Sequence, residues 1–192
     1  MTRRLFVALD LDAPARQRVA TISAGLQSQI EAMPANRPRV TWVAPGRMHI
    51  TLHFIGAVDD ARAECLASAM SRPFAHAPVQ VELDALGVFP VHGRPRVIWM
   101  GVRRGAGTLH WLYTESADRL AACGCAVESR GLTPHVTLGR VREGTLRGLK
   151  LPRVDPPVQT TVTHVILYDS QLSSRGPQYT ALARAALSEQ RD

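Results

Sequence analysis

No stretch of this 192-residue chain approaches the ~20 consecutive apolar residues needed to span a bilayer, so no transmembrane helix is expected. The opening "MTRRLFVALDLDAP" carries two arginines, but acids break its short apolar run and make it a poor signal peptide. Cysteine is scarce. Cys65, Cys123 and Cys125 cannot all pair within one chain, and a Cys-x-Cys alone falls short of a zinc ligand set. All three are therefore read as reduced, structural thiols, which together with the absence of a targeting segment points to the cytoplasm. Lysine is nearly missing: of 23 Lys and Arg residues, 22 are arginine. The resulting net charge of +7 suits a polyanion such as RNA. The arginines are scattered, however, and such a skew also follows from a GC-rich genome. Charge permits a phosphate-bearing substrate without establishing one. There is no persuasive nucleophile motif. No linker is long enough to separate independent domains, so residues 1–192 are read as a single domain.

What the chain does contain is strands and helices in a loosely repeated order. "RRLFVALDL" (3 to 11) reads as a buried strand. Asp12 offers an N-cap with Pro14 behind it, and Val19, Ile22, Leu26 and Ile30 follow at helical spacing, predicting a helix over 13–32. "RVTWV" and "MHITLHFIG" read as strands about the Pro45-Gly46 turn. "DDARAECLASAMSR" is a second helix capped by Asp59 or Asp60. "VQVELDALGVF" and "RPRVIWMGV" are two more strands, and a third helix covers about 107–123 before Gly124 stops it. "HVTLGRV", "VQTTVTHVILYD" and "YTALARAAL" read as the closing strands. Each half runs strand, helix, then a strand carrying His-x-Thr. The economical architecture is α+β with pseudo-twofold lobes, two sheets facing across a central cleft with the helices outside.

The repeated tetrapeptides carry the chemistry. Along a strand alternate side chains share a face, so His49, Thr51 and His53 of "HITLHF" would point one way and Ile50, Leu52 and Phe54 into the core. In "HVTL" His135 and Thr137 share a face, backed by Val136 and Leu138. A single His in a strand is usually structural, and threonine favours strands because it is β-branched. Two matching His-x-Thr strands brought together by the repeat instead form an acid–base pair suited to phosphoester cleavage. One imidazole takes a proton from water, the other donates to the leaving oxygen, and the threonine hydroxyls hold phosphate oxygens. The scheme needs no metal, and no acid or cysteine accompanies the motif histidines as a zinc site would require.

"HITL" and "HVTL" resemble the paired signatures of the 2H phosphoesterase superfamily. "RLFVALDL", "GVFPVHGRPRVIWMGV", "TPHVTLGRV" and "LYDSQLSSRGPQYTALARAAL" resemble segments of its RNA 2′,3′-cyclic phosphodiesterases, also called 2′–5′ RNA ligases, over nearly the whole chain. The resemblance implies a two-lobed fold, no cofactor, and hydrolysis of RNA ends or nucleotides bearing a 2′,3′-cyclic phosphate to 2′-phosphates, with 2′–5′ ligation as the related transesterification. It implies His49 as the acid and His135 as the base, although the two motifs are symmetric with respect to these roles, and Thr51 and Thr137 as phosphate holders. Arg140 falls where the family often has an arginine. It would need a kink at Gly139 to face the cleft, the other reading being a surface ion pair. A monomer without membrane association is expected.

Other readings stay open at this stage. A noncatalytic RNA- or nucleotide-binding module of the same fold is one. A phosphodiesterase for another ester, such as ADP-ribose 1″,2″-cyclic phosphate or a 2′–5′ oligonucleotide, is another. Phe6, Trp42, Phe89 and Trp99 could stack on a base but sit in apolar segments and read as core. Arg47 is a candidate phosphate contact. His53 would line the cleft floor or orient His49.

Overall fold

The computed structural model describes residues 2–33, 37–126, 131–173 and 176–188. In chain order the elements are β1 (Arg3–Asp10), α1 (Ala13–Glu31), β2 (Arg39–Trp42), a 3-10 turn (Pro45–Arg47), β3 (His49–Val58), α2 (Asp60–Ala69) and β4 (Phe74–Ala75). They continue with β5 (Val79–Phe89), β6 (Val97–Arg104), α3 (Ala106–Ala122), β7 (His135–Glu143), β8 (Val158–Val162), β9 (His164–Ser173) and β10 (Gly176–Ser188). The α+β reading holds, and the alanine-rich "YTALARAAL" is strand. "VQTTVTHVILYD" is two strands rather than one. β8 pairs with β5 and β9 pairs with β1, so the chain crosses between the halves at Thr163.

Local chemistry accounts for the helix ends. Asp12 caps α1 by accepting from the Ala15 amide at 2.9 Å, and its second carboxylate oxygen accepts from the Thr161 amide, tying α1 to β8. Asp59 caps α2 in the same way through the Arg62 amide at 2.8 Å. Ala15, Val19, Ser23, Leu26 and Ile30 form the buried stripe of α1, and Leu109, Leu112, Ser116 and Leu120 that of α3. No described helix is long and apolar enough to cross a membrane.

The strands hydrogen-bond along the path β4-β10-β9-β1-β3-β7-β6-β5-β8, with β2 pairing β7 off the path. The two expected sheets are thus halves of one path, joined where β3 meets β7 through the single antiparallel pair Ile50↔Val136. The order has the symmetry of the repeat: β1 and β6 flank the central strands, with β9 and β5 outside them. Just past the junction each central strand carries an extra residue. Ala8 and Val7 of β1 face Thr51 and His53, leaving Leu52 unpaired, and Trp99 and Ile98 of β6 face Thr137 and Gly139, leaving Leu138 unpaired. Such bulges bend a strand and sharpen its twist. They carry β3 and β7 apart after one pair, opening the space between the halves. Both extra leucines are buried.

The cysteine reading needs correction. Cys65 of α2 is disulfide-bonded to Cys123 at the end of α3, and Cys125 is free. Two helices adjacent in space bring together thiols 58 residues apart, a pairing that odd-number arithmetic could not find. The support that three reduced thiols lent to a reducing compartment falls away with it. Titration of the denatured, unreduced protein with a thiol reagent is expected to count one thiol, and three after reduction.

Candidate functional site

The one-pair junction sets the geometry. With Ile50 opposite Val136 in antiparallel register, continuing one step brings His49 beside Thr137 and Thr51 beside His135, all on the face away from the buried Ile50 and Val136. His49, Thr51, His135, Thr137 and Arg140, the five residues expected from the sequence, line one cavity of about 500 Å³.

Each imidazole is pinned identically. Nδ1–H of His49 donates to the Arg47 carbonyl at 2.8 Å, and Nδ1–H of His135 to the Thr133 carbonyl at 2.7 Å. A carbonyl only accepts, so both rings keep the proton on Nδ1 and leave Nε2 for chemistry. Nε2 of His49 lies 3.1 Å from the Thr51 hydroxyl. Aromatic rings collar both imidazoles. Phe6 and Tyr179 stand 5.0 and 5.5 Å from His49, and Phe89 and Trp99 stand 5.1 and 6.1 Å from His135. Phe6, buried as expected, and Trp42 line the cavity, while Phe89 and Trp99 pack beside the His135 ring. Glycine makes room for the Trp99 indole, which occupies the space that a Cβ on Gly87 or Gly101 would need.

Burial lowers the basicity of both histidines below the usual imidazole value. For His49 the Arg47 carbonyl and the Asp10 carboxylate oppose that trend, while His135 and Arg140 add to it. For His135 the Thr133 carbonyl opposes it and Arg140 adds to it.

Arg140 does turn into the cleft. The re-aiming device is the extra Leu138, which shifts the alternation so that Gly139 takes the buried face and Arg140 the open one. Gly139 has no space for a side chain, since its Cβ would come within 2.7 Å of a Val40 methyl. The equivalent shift at Leu52 overturns two readings in the first motif. His53 does not share the His49 face: it is buried, stacks on Tyr113 at 4.2 Å, and donates from Nε2 to the Tyr113 carbonyl (2.9 Å) and Ser116 Oγ (3.0 Å). It fastens β3 to α3. Phe54, read as core, is 63 % exposed and lines the cavity at the place that Arg140 takes in the second motif. Arg47 also lines the cavity, with Nη1 donating to the Pro177 carbonyl at 3.1 Å.

Arg4 and Arg142 join Arg47 and Arg140 in the wall, and no Asp or Glu is among the described lining residues. Four guanidiniums without a carboxylate make a site for an anion. Among the described residues, no three His, Cys, Asp or Glu side chains cluster as metal ligands would.

Comparison with known proteins gives a consistent result. The family model described as the 2'-5' RNA ligase superfamily matches residues 12–173. An RNA 2',3'-cyclic phosphodiesterase of Thermotoga maritima is 30% identical over 182 residues, covering 93% of this chain and 92% of the relative. One from Aeropyrum pernix is 38% identical over 143 residues, covering 70% and 78%. The crystal structure of E. coli LigT complexed with 3'-AMP superposes with a TM-score of 0.78 at 28% identity, covering 98% of this chain and 100% of that one.

Proposed function

Since the chain belongs to the 2'-5' RNA ligase superfamily, we propose that it is an RNA 2′,3′-cyclic phosphodiesterase that opens the cyclic phosphate to a 2′-phosphate with its two cleft histidines. The observation that carries this reading is the pair of imidazoles, each pinned through Nδ1, in one arginine-walled cavity.

In this reading His135 Nε2 takes a proton from a water attacking phosphorus, and His49 Nε2–H gives one to the departing 3′-oxygen. One P–O bond forms, one breaks, and the proton count is conserved, with the histidines exchanging states. The hydroxyls of Thr51 and Thr137 and the fork of Arg140 hold the non-bridging oxygens, on which charge accumulates in the transition state. The exposed face of Phe54 offers a nucleobase a stacking surface beside the reacting phosphate. The same constellation runs 2′–5′ ligation if a 5′-hydroxyl takes the place of water. A noncatalytic binding module would have no use for two imidazoles with matched Nδ1 pins.

The test is a product assay on oligoribonucleotides ending in 2′,3′-cyclic phosphate, on 2′,3′-cyclic AMP and on ADP-ribose 1″,2″-cyclic phosphate. A 2′-phosphate product is expected, formed at an undiminished rate in EDTA because every role is filled by a side chain. Tight binding without turnover would favour the binding module, and turnover of the ADP-ribose ester alone would move the reading to that substrate.

A further inference from the structure

The two motifs match so closely that nothing within them says which histidine is the acid. The strands beside them do. On the β1 side the cross-strand partner of His49 is Asp10, and on the β6 side the partner of His135 is Gly101. Directly opposed residues of an antiparallel pair share a face with Cβ atoms about 4.5–5.5 Å apart. The repeat therefore sets a carboxylate against one imidazole and a bare backbone against the other. Gly101 is held to that identity by the Trp99 ring, 2.7 Å from where its Cβ would stand.

Asp10 is prepared for the task. Tyr168 Oη lies 3.0 Å from both of its carboxylate oxygens and donates its one proton to them. No salt bridge to a described Lys or Arg neutralises Asp10, which stands across the strand from His49. The phenol is no competing proton source, since burial first and the Asp10 charge second push its pKa up to about 12. The other described groups about His49 all lack negative charge. They are Arg47 and Thr51 on its own segment, His135 and Arg140 from β7, the Phe6 ring from β1 and the Tyr179 ring from β10. The nearest cations to Tyr168 are Arg16 and Arg184. Among the described residues Asp10 is the carboxylate that acts on His49, and His135 has Gly101 in the corresponding place.

We infer that Asp10, held by Tyr168, is the positioning residue that breaks the symmetry of the site: it sustains the imidazolium at His49 and so makes His49 the acid, leaving His135 as the base. The inference rests on the phosphodiesterase reading only for the meaning of acid and base. The asymmetry itself is a property of the strands.

The test is Asp10→Asn, which removes the charge and keeps the shape. His49 and His135 ring signals are followed by NMR through a pH titration, alongside the pH profile of kcat/KM on a cyclic-phosphate substrate. Loss of the carboxylate should make His49 take up its proton at lower pH than in the wild type, with His135 unmoved. The alkaline limb of the profile, where the acid loses its proton, should move down with it. Activity on that alkaline limb should fall about tenfold while that at pH below it stays within about twofold. Asp10→Glu should restore most of the shift, and Asp10→Ser serves as a second neutral variant if Asn does not fold. An unmoved His49 titration, or an equal loss at every pH, overturns the inference. A wild type inactive on every cyclic phosphate would sink the phosphodiesterase reading instead, with the NMR comparison still deciding the role of Asp10.

Discussion

His135→Ala and His49→Ala are each expected to lower kcat for cyclic-phosphate opening by about 10²–10⁴-fold, the usual contribution of a positioned acid or base, while KM changes little. KM is spared because substrate affinity comes from the guanidiniums, the threonine hydroxyls and the aromatic walls, none of which either substitution removes. The double variant should lose far less than the product of the two factors. Once one proton transfer is gone, the other group has no concerted partner to assist. Steady-state kinetics on a cyclic-phosphate oligonucleotide, with thermal melting to confirm the fold, checks all three proteins. Melting is a fair control here. Both imidazoles are only partly buried, and their hydrogen bonds run to near neighbours in sequence: the Arg47 and Thr133 carbonyls and, for His49, the Thr51 hydroxyl. His53→Ala should show the opposite pattern. Its Nε2 bonds hold β3 to α3 away from the cavity, so stability falls and kcat does not.

The contrast between His49 and His53 marks where the sequence could be read and where it could not. The two His-x-Thr pairs were legible because they are written twice, and a period of two along a strand puts each pair on one face. The helix starts were legible because Asp12 and Asp59 act locally, through amides three residues on. Strict alternation carried past Leu52 puts His53 and Phe54 on the wrong faces. A bulge is a property of pairing with β1, and nothing in "HITLHF" announces it. One clue was present. Arg140 requires a kink to reach the cleft, and the repeat aligns it with Phe54, so whatever turns Arg140 inward should turn Phe54 inward too. Asp10 was hidden for a related reason: its place opposite His49 depends on two shifts in the β1–β3 register. The Cys65–Cys123 bond depends on how α2 and α3 pack, which spacing along the chain does not encode.

Arg140→Ala is expected to cost about 10²-fold in kcat/KM, comparable to removing one donor from an oxyanion site, and Arg140→Lys should recover little of it. A guanidinium presents two parallel N–H groups to a phosphate, whereas an ammonium presents a point charge on a flexible stem. The position is demanding as well, because Arg140 reaches the cavity only by way of the extra Leu138 and the side-chain-free Gly139 beneath Val40. Of the two sequence readings, cleft residue or surface ion pair, the second finds no carboxylate among the described residues of the cavity wall that Arg140 lines. The substitution also has a pH signature that simple loss of affinity would lack. The positive charge of Arg140 lowers the basicity of both His49 and His135. Removing it lets both imidazoles hold protons to higher pH, so both limbs of the kcat/KM profile should move upward together. In Asp10→Asn one limb moves, and in the opposite direction. A profile that drops without shifting would place Arg140 outside electrostatic reach of the histidines. A paired upward shift would set its guanidinium beside the phosphate, between acid and base, where charge collects in the transition state.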